Sequence, residues 1–266
     1  MTHRSIVRPI SVTLAAGIAV AAVPACAQNP IGPVTPTGND TPREEGWKLE
    51  EVTRGLMRPW GADWLPGGDV VLVTEKEGRL RVVAGGELSP EPVRGLPDTI
   101  FASGQGGLLD VEVHPEFQEN RLVYFTASTG TNRANRTELF RARLSEDLTE
   151  LTDVESVFRN KDDKNGGQHF GSRIMWLPDG SLLLSIGDGG NPPTKLNGDF
   201  IRKQAQNENA HLGKILRMDE DGGPMPDTPF AADDDPETDP YVYVLGLRNV
   251  QGMSVRPGTG EVWATS

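Results

Sequence analysis

The 266-residue chain holds 31 Gly and 21 Pro, with 36% hydrophobic and 6% aromatic residues. About a fifth of the chain in Gly and Pro is too much for a helical bundle and too little for a disordered polypeptide, and the length allows one large domain or two small ones. The formal net charge is −12, so nucleic acid is not expected as a partner, and an anionic ligand requires a local Arg cluster or a metal ion.

The chain opens on an export signal. Arg4 and Arg8 precede an apolar stretch from Ile10 to Val23, followed by Pro24 and small residues. An apolar run of 14 residues is short for a bilayer span and matches the h-region of a secretory signal, here residues 1–27. The protein is therefore expected to be exported, and to be periplasmic, secreted or lipid-anchored at a bacterial envelope. Cys26, the single cysteine, has two readings. Ala25-Cys26-Ala27 fits ordinary cleavage before Gln28, whereas Val23-Pro24-Ala25-Cys26 resembles a lipobox whose cysteine is acylated and anchors the chain to a membrane. Residues 28–45, rich in Pro, Thr, Gly and Asn, read as a flexible linker.

From residue 46 onward one pattern repeats: an apolar strand, a turn with Pro, then a second apolar strand. The copies are GADWLPGGDVVLVTEK from Gly61, DVEVHPEFQENRLVYFTAS from Asp110, RIMWLPDGSLLLSIGDGG from Arg173 and GMSVRPGTGEVWATS from Gly252. Their prolines, Pro66, Pro115, Pro178 and Pro257, recur at intervals of 49, 63 and 79 residues, each two residues after a large apolar side chain (Trp64, Val113, Trp176, Val255). Each unit predicts a β-hairpin. The second strands, Val70 to Val73 and Leu182 to Leu184, are continuously apolar, as expected of strands buried on both faces. Further strand-like segments, Leu80 to Val83, Glu138 to Leu144, Lys214 to Met218 and Tyr241 to Leu245, extend the hairpins to four-stranded blades of an all-β propeller. An irregular β-sandwich is the competing reading, but four spaced copies of a long pattern exceed what a sandwich requires. The fourth copy ends at Ser266 without a closing strand, so residues 46–266 are expected to be the N-terminal part of a ring with about four blades begun.

Three segments carry polar residues that blades do not need. Ser103-Gly104-Gln105-Gly106-Gly107 leaves backbone exposed around Gln105; Gln168-His169-Phe170-Gly171-Ser172-Arg173 leads into the third hairpin and Gly187-Asp188-Gly189-Gly190 leaves it; Gly246-Leu247-Arg248-Asn249-Val250-Gln251-Gly252 leads into the fourth. An antiparallel hairpin brings His169 and Asp188 to the same end, where a carboxylate can fix the imidazole's tautomer and raise its basicity. A turn-stabilising His and Asp would look the same. Arg248-Asn249 offers a guanidinium fork and an amide suited to a planar, anionic, carbonyl-bearing ligand, or else a structural Arg bonded to blade backbone. His114 reads as a turn residue, His211 has no evident partner, and His3 falls in the signal. The acidic runs Asp219-Glu220-Asp221-Gly222 and Asp233-Asp234-Asp235-Pro236-Glu237 lack the ligand spacing of a calcium loop and read as solvated.

With Gly104 to Asp110, His114-Pro115, His169 to Arg173, Ile186-Gly187-Asp188, His211 to Arg217 and Gly246 to Gly252 in this order, the chain resembles the glucose/sorbosone dehydrogenase family. These are soluble aldose sugar dehydrogenases that use pyrroloquinoline quinone (PQQ) and calcium on a six-bladed propeller. The resemblance runs from about Leu56 to the end. It implies that His169 takes the proton of the sugar's anomeric hydroxyl while the C1 hydride passes to PQQ, giving a lactone. It further implies that Asp188 orients His169 and contacts the sugar, that Gln105 and Gln168 also face the sugar, and that Arg248 and Asn249 bind PQQ. Glucose-type members carry an acid where this chain has Gln168, which points away from glucose as the preferred aldose. The family's calcium loop and later basic PQQ contacts fall beyond Ser266, so no metal ligand is expected in these residues, and the 266-residue polypeptide is expected to bind PQQ weakly and to lack activity alone. The electron acceptor is unspecified. A non-catalytic carbohydrate- or protein-binding propeller and a lactonase-type propeller hydrolase are the alternatives.

Overall fold

Each predicted hairpin forms, and each supplies the first two strands of a separate antiparallel sheet. The computed structural model describes residues 49–231 and 237–266. The signal, the linker and Cys26 lie outside the described residues. The first sheet runs β1 (Pro59–Trp64), β2 (Val70–Glu75), β3 (Arg79–Ala84) and β4 (Glu87–Leu88). The second runs β5 (Leu108–Val113), β6 (Leu122–Gly130), β7 (Asn135–Leu144) and β8 (Leu151–Arg159), with a single helical turn, Phe117–Asn120, in its first connection.

The third sheet carries an insertion. β9 (Gly171–Trp176) and β10 (Leu182–Ile186) are followed by an arm made of β11 (Lys195–Leu196), β12 (Asp199–Phe200) and a 3-10 helix, Ile201–Gln206. β13 (Lys214–Met218) and β14 (Val242–Leu245) then complete the order β9-β10-β13-β14. β15 (Gly252–Val255) pairs with β16 (Val262–Thr265) as a two-stranded fourth sheet. The first strands touch in chain order: β1 packs on β5, β5 on β9 and β9 on β15. Sheets that meet through their first strands and stack face to face are propeller blades. The segments expected to extend the hairpins are β3, β7, β13 and β14, the last two belonging to a single blade.

The core lies between the blades. Leu72, Leu80 and Val82 of the first meet Val111, Phe125 and Phe140 of the second; Tyr124 and Leu139 of the second meet Ile174, Leu184 and Leu216 of the third. Met175, Leu183 and Ile215 face the opposite way, toward Met253, Val255 and Val262 of the fourth. Leu182, Leu183 and Leu184 are all fully buried, so successive residues of β10 reach different neighbours. The residues two before the repeated prolines are not equivalent. Trp176 stands edge-on to Tyr124 and His114, with ring centroids 5.0 Å apart in both cases, while Trp64 is 55% exposed.

This packing fixes the expected cost of truncation. Leu184→Ala removes a fully buried side chain between the second and third blades and is expected to cost about 2–5 kcal/mol, whereas Trp64→Ala costs less than about 1 kcal/mol. Urea unfolding midpoints of the two variants check the difference.

Candidate active site

His169 reaches its position through an unusual backbone. It leads into β9 with φ +50°, a left-handed conformation rare for residues with a side chain. Its N–H donates to Gln105 Oε1 at 2.7 Å, and the residue is only 4% exposed. Asp188, just after β10, places Oδ1 2.6 Å from His169 Nδ1 and accepts a second bond from the Gly190 N–H at 3.0 Å. The carboxylate therefore accepts a hydrogen bond from Nδ1–H, which leaves the lone pair on Nε2. Among the described residues neither Nε2 of His169 nor Oδ2 of Asp188 has a protein partner.

The loop leading into the fourth blade joins this dyad through backbone bonds. The Asp188 N–H donates to the Arg248 carbonyl at 2.7 Å, and Asn249 Oδ1 accepts the Gly171 N–H at 2.9 Å, leaving the Asn249 amide NH2 directed elsewhere. Gly187 makes this approach possible: a Cβ there would stand 2.2 Å from the His169 carbonyl oxygen and 2.8 Å from Asn249 Oδ1. The Arg248 guanidinium pairs with no carboxylate among the described residues; its one bond goes to Asn191 Oδ1 at 3.4 Å. Asn191 in turn donates its N–H to Gln168 Oε1 at 3.2 Å. Gln105, Gln168, His169, Asp188, Arg248 and Asn249 thus come together from four loops. Asn191, which links Gln168 to Arg248, carried no sequence signal beyond its place after Gly190.

A second backbone contact sets Gln105. Its N–H donates to the Gly167 carbonyl at 2.7 Å, and the two loops interlock so closely that a Cβ on Gly104 would lie 2.4 Å from Gly167 O. A Cβ on Gly167 would lie 2.6 Å from Ser103 O.

The first strands carry carboxyl groups as well. Asp110 is fully buried, 2.6 Å from Arg173 and bonded to the Ile174 N–H at 2.8 Å; burial pushes it up to about 7 against the pull of Arg173. Glu112 is pushed up to about 9, first by burial and then by the charges of Asp63 and Asp110. Arg173 lies 5.0 Å from the centre of the Trp60 ring. Elsewhere the other two described histidines have structural partners. His114 accepts from the Glu116 N–H at 3.0 Å and contacts Glu220 at 3.1 Å, as a turn residue should. His211 does have a partner, contrary to its appearance in the sequence: Asp239 stands 3.1 Å from Nε2, and the Lys161 N–H donates to Nδ1 at 3.2 Å. Twenty-eight residues separate the pair, too many for a motif to reveal it. Asp219 caps its own turn by accepting from Asp221 and Gly223, and Asp221 pairs with Arg141 at 2.7 Å. No group of three or more His, Cys, Asp or Glu among the described residues fits a metal ion, and no helix among them is long and apolar enough to cross a membrane.

Stacked blades whose connecting loops bring together a paired imidazole and carboxylate define the protein as a β-propeller. The chain belongs to the glucose / sorbosone dehydrogenase family, whose model matches residues 56–266. It is 47% identical over 275 aligned positions to the uncharacterized protein slr1608 of Synechocystis sp., covering 96% of this chain and 65% of that one. It is 32% identical to aldose sugar dehydrogenase YliI of Escherichia coli, covering 81% of this chain and 55% of that one. Among solved structures, the PQQ-bound form of aldose sugar dehydrogenase from Streptomyces coelicolor superposes with a TM-score of 0.66 at 29% identity, covering 81% of this chain and 58% of that one. The chain thus spans about half to two thirds of these relatives.

The carboxyl cluster predicts a pH dependence. Folded Glu112 keeps a proton that the unfolded chain releases above its ordinary value of 4.5, so this contribution is complete below 4.5 and is lost as pH rises toward about 9. Glu112→Gln is expected to flatten that decline and to be the more stable protein at pH 8, as thermal unfolding at pH 5 and pH 8 will show.

Proposed function

We propose that the protein is an exported, PQQ- and calcium-dependent aldose dehydrogenase that oxidises the sugar at C1 to the lactone. The observation that carries this reading is the buried His169–Asp188 dyad, where His169 Nε2 has no partner and the neighbouring Arg248 pairs with no carboxylate among the described residues. Family membership and the PQQ-bound relative support the same chemistry.

The donor set fits a planar anionic quinone. Arg248 supplies a fixed positive charge and a guanidinium fork, the Asn249 amide NH2 is not engaged by Gly171, and Gly187, without a side chain, lets Asn249 approach the His169 backbone. Arg248 and Asn249 would hold PQQ, which when bound supplies the two-electron acceptor for the C1 hydride. His169 Nε2 takes the proton from the anomeric hydroxyl. Asp188 keeps the other nitrogen protonated and stabilises the imidazolium that results, while its Oδ2 faces the sugar. Gln105 holds the His169 backbone through Oε1, which leaves its NH2 for the sugar, and Gln168, standing where glucose-type members carry an acid, favours an aldose other than glucose. Arg248 offsets the negative charge that builds up opposite it. No group of three or more His, Cys, Asp or Glu among the described residues marks where calcium would sit, and no step is derived through it. The natural electron acceptor is not identified by these side chains. Residues 1–27 act as the export signal and residues 28–45 as a tether, with acylation at Cys26 as the anchoring alternative.

Dye reduction by the full-length protein with PQQ and calcium supplied tests the reading across a panel of aldoses. His169→Ala is expected to lose roughly 10²–10⁴-fold in turnover with PQQ affinity nearly unchanged. Unaltered turnover removes His169 from the mechanism. A protein that binds sugar without reducing dye would instead be a carbohydrate-binding propeller.

A further inference from the structure

Lys214 opens β13 on the same face as Leu216 and Met218, the face packed against the second blade, and it is fully buried. A cation on an apolar face needs partners, and its Nζ has three. It donates to the carbonyls of Gln204 at 2.9 Å, Ala205 at 3.0 Å and Leu212 at 2.9 Å. Three donors on three carbonyls complete the bonding of an ammonium group without a carboxylate. Gln204 and Ala205 stand in the last turn of the 3-10 helix Ile201–Gln206, the end of a helix that favours a positive charge.

The helix held in this way touches the loops on both sides of the site. At its start the fully buried Ile201 covers Gly189, where a Cβ would stand 2.5 Å from Ile201 Cδ1, and Gly189 follows Asp188. At its end Ala205 O accepts the Gly246 N–H at 2.8 Å, and a Cβ on Gly246, two residues before Arg248, would stand 2.8 Å from Gln206 Nε2. Between the loops Gly213 donates its N–H to the Gly187 carbonyl and accepts that of Leu247, both at 3.0 Å. Lys214 itself pairs with Ile186 of β10 and Leu245 of β14, the residues at which those strands end before Asp188 and Arg248. The other lysines of the arm make no such contacts: Lys203 pairs with the exposed Asp199 at 2.8 Å, and Lys195 lies 6.0 Å from the centre of the Phe200 ring.

We propose that Lys214 is a positioning residue for Arg248: its ammonium latches the last turn of the 3-10 helix, and the latched helix holds the loop of residues 246–249 against the loop that carries Asp188. Methionine in its place would withdraw all three donors at once and release the helix end. Only the effect on quinone affinity rests on Arg248 being a PQQ ligand; the latch belongs to the chain without sugar or quinone.

The test is hydrogen–deuterium exchange of the full-length protein, read by mass spectrometry with no sugar or PQQ added, followed by titration with PQQ in the presence of calcium. In Lys214→Met, peptides covering residues 201–206 and 246–249 are expected to exchange about tenfold faster, while those of β5 to β8 keep the parent rates. Lys203→Met, which removes an exposed cation from the same helix, is expected to exchange as the parent does. PQQ affinity in Lys214→Met is expected to fall about tenfold, the loss that follows when the loop is in place about a tenth of the time. Parent-like exchange at residues 246–249, or an acceleration shared equally by all blades, overturns the proposal. Should Lys214→Met not fold, Lys214→Gln is read by the same criteria. Arg248→Ala separates the two readings. PQQ affinity lost in Arg248→Ala but kept in Lys214→Met overturns the positioning role and leaves the dehydrogenase reading standing. Parent-like PQQ affinity in Arg248→Ala removes Arg248 from the cofactor site, and the exchange pattern alone then decides for or against the latch.

Discussion

A β-strand that is apolar on both faces has to be covered twice. Leu182, Leu183 and Leu184 present successive side chains to opposite sides of one sheet, and all three are fully buried. One side meets Tyr124 and Leu139 of the preceding blade, the other Met253, Val255 and Val262 of the next. Sheets under that demand stack in series, and with first strands touching first strands the connecting loops gather where the strands end. Everything at the candidate site is downstream of this stacking, because Gln105, His169 and Arg248 sit on loops leading into three consecutive blades.

Several of the bonds that tie the loops to one another use at least one backbone group. Asp188 N–H to Arg248 O, Gly171 N–H to Asn249 Oδ1 and Gln105 N–H to Gly167 O each have at least one main-chain partner at 2.7–2.9 Å. Such bonds keep the dyad and the guanidinium in fixed relation without using their reactive atoms: Nε2 of His169 and Oδ2 of Asp188 stay free of protein partners among the described residues. Preorganisation of this kind is what acid–base chemistry next to a charged ligand demands, since reorientation during the reaction would add to the barrier. The inserted arm joins the same framework. Lys214, fully buried in β13, donates to the carbonyls of Gln204, Ala205 and Leu212, and Ala205 O also receives the Gly246 N–H at 2.8 Å, so the 3-10 helix braces the start of the Arg248 loop.

The hairpins were legible because Pro turns between apolar runs are local signals, and the same holds for β3, β7, β13 and β14. β8 escaped notice: Leu151 to Arg159 mixes Asp153, Glu155 and Arg159 with its apolar residues, as an outer strand with a wet face does. β4, β11 and β12 are two residues each, too short for any periodicity. The pairing of His169 with Asp188 could be read from hairpin geometry, since the two flank one turn. The engagement of His211 by Asp239 and the burial of Lys164, which is 5% exposed, could not, because both depend on a blade folding over a loop whose own composition is that of a surface.

The interlocked loops at Gly104 and Gly167 have a consequence for how this chain can diverge. Each glycine occupies the space a Cβ on the other's loop would need, so neither position can gain a side chain while the other backbone stays in place. The join between the second and third blades is therefore a mutational dead lock: neighbours such as Gln168 or Asn191 can change one residue at a time, but the distance between Gln105 and His169 is inherited as a unit.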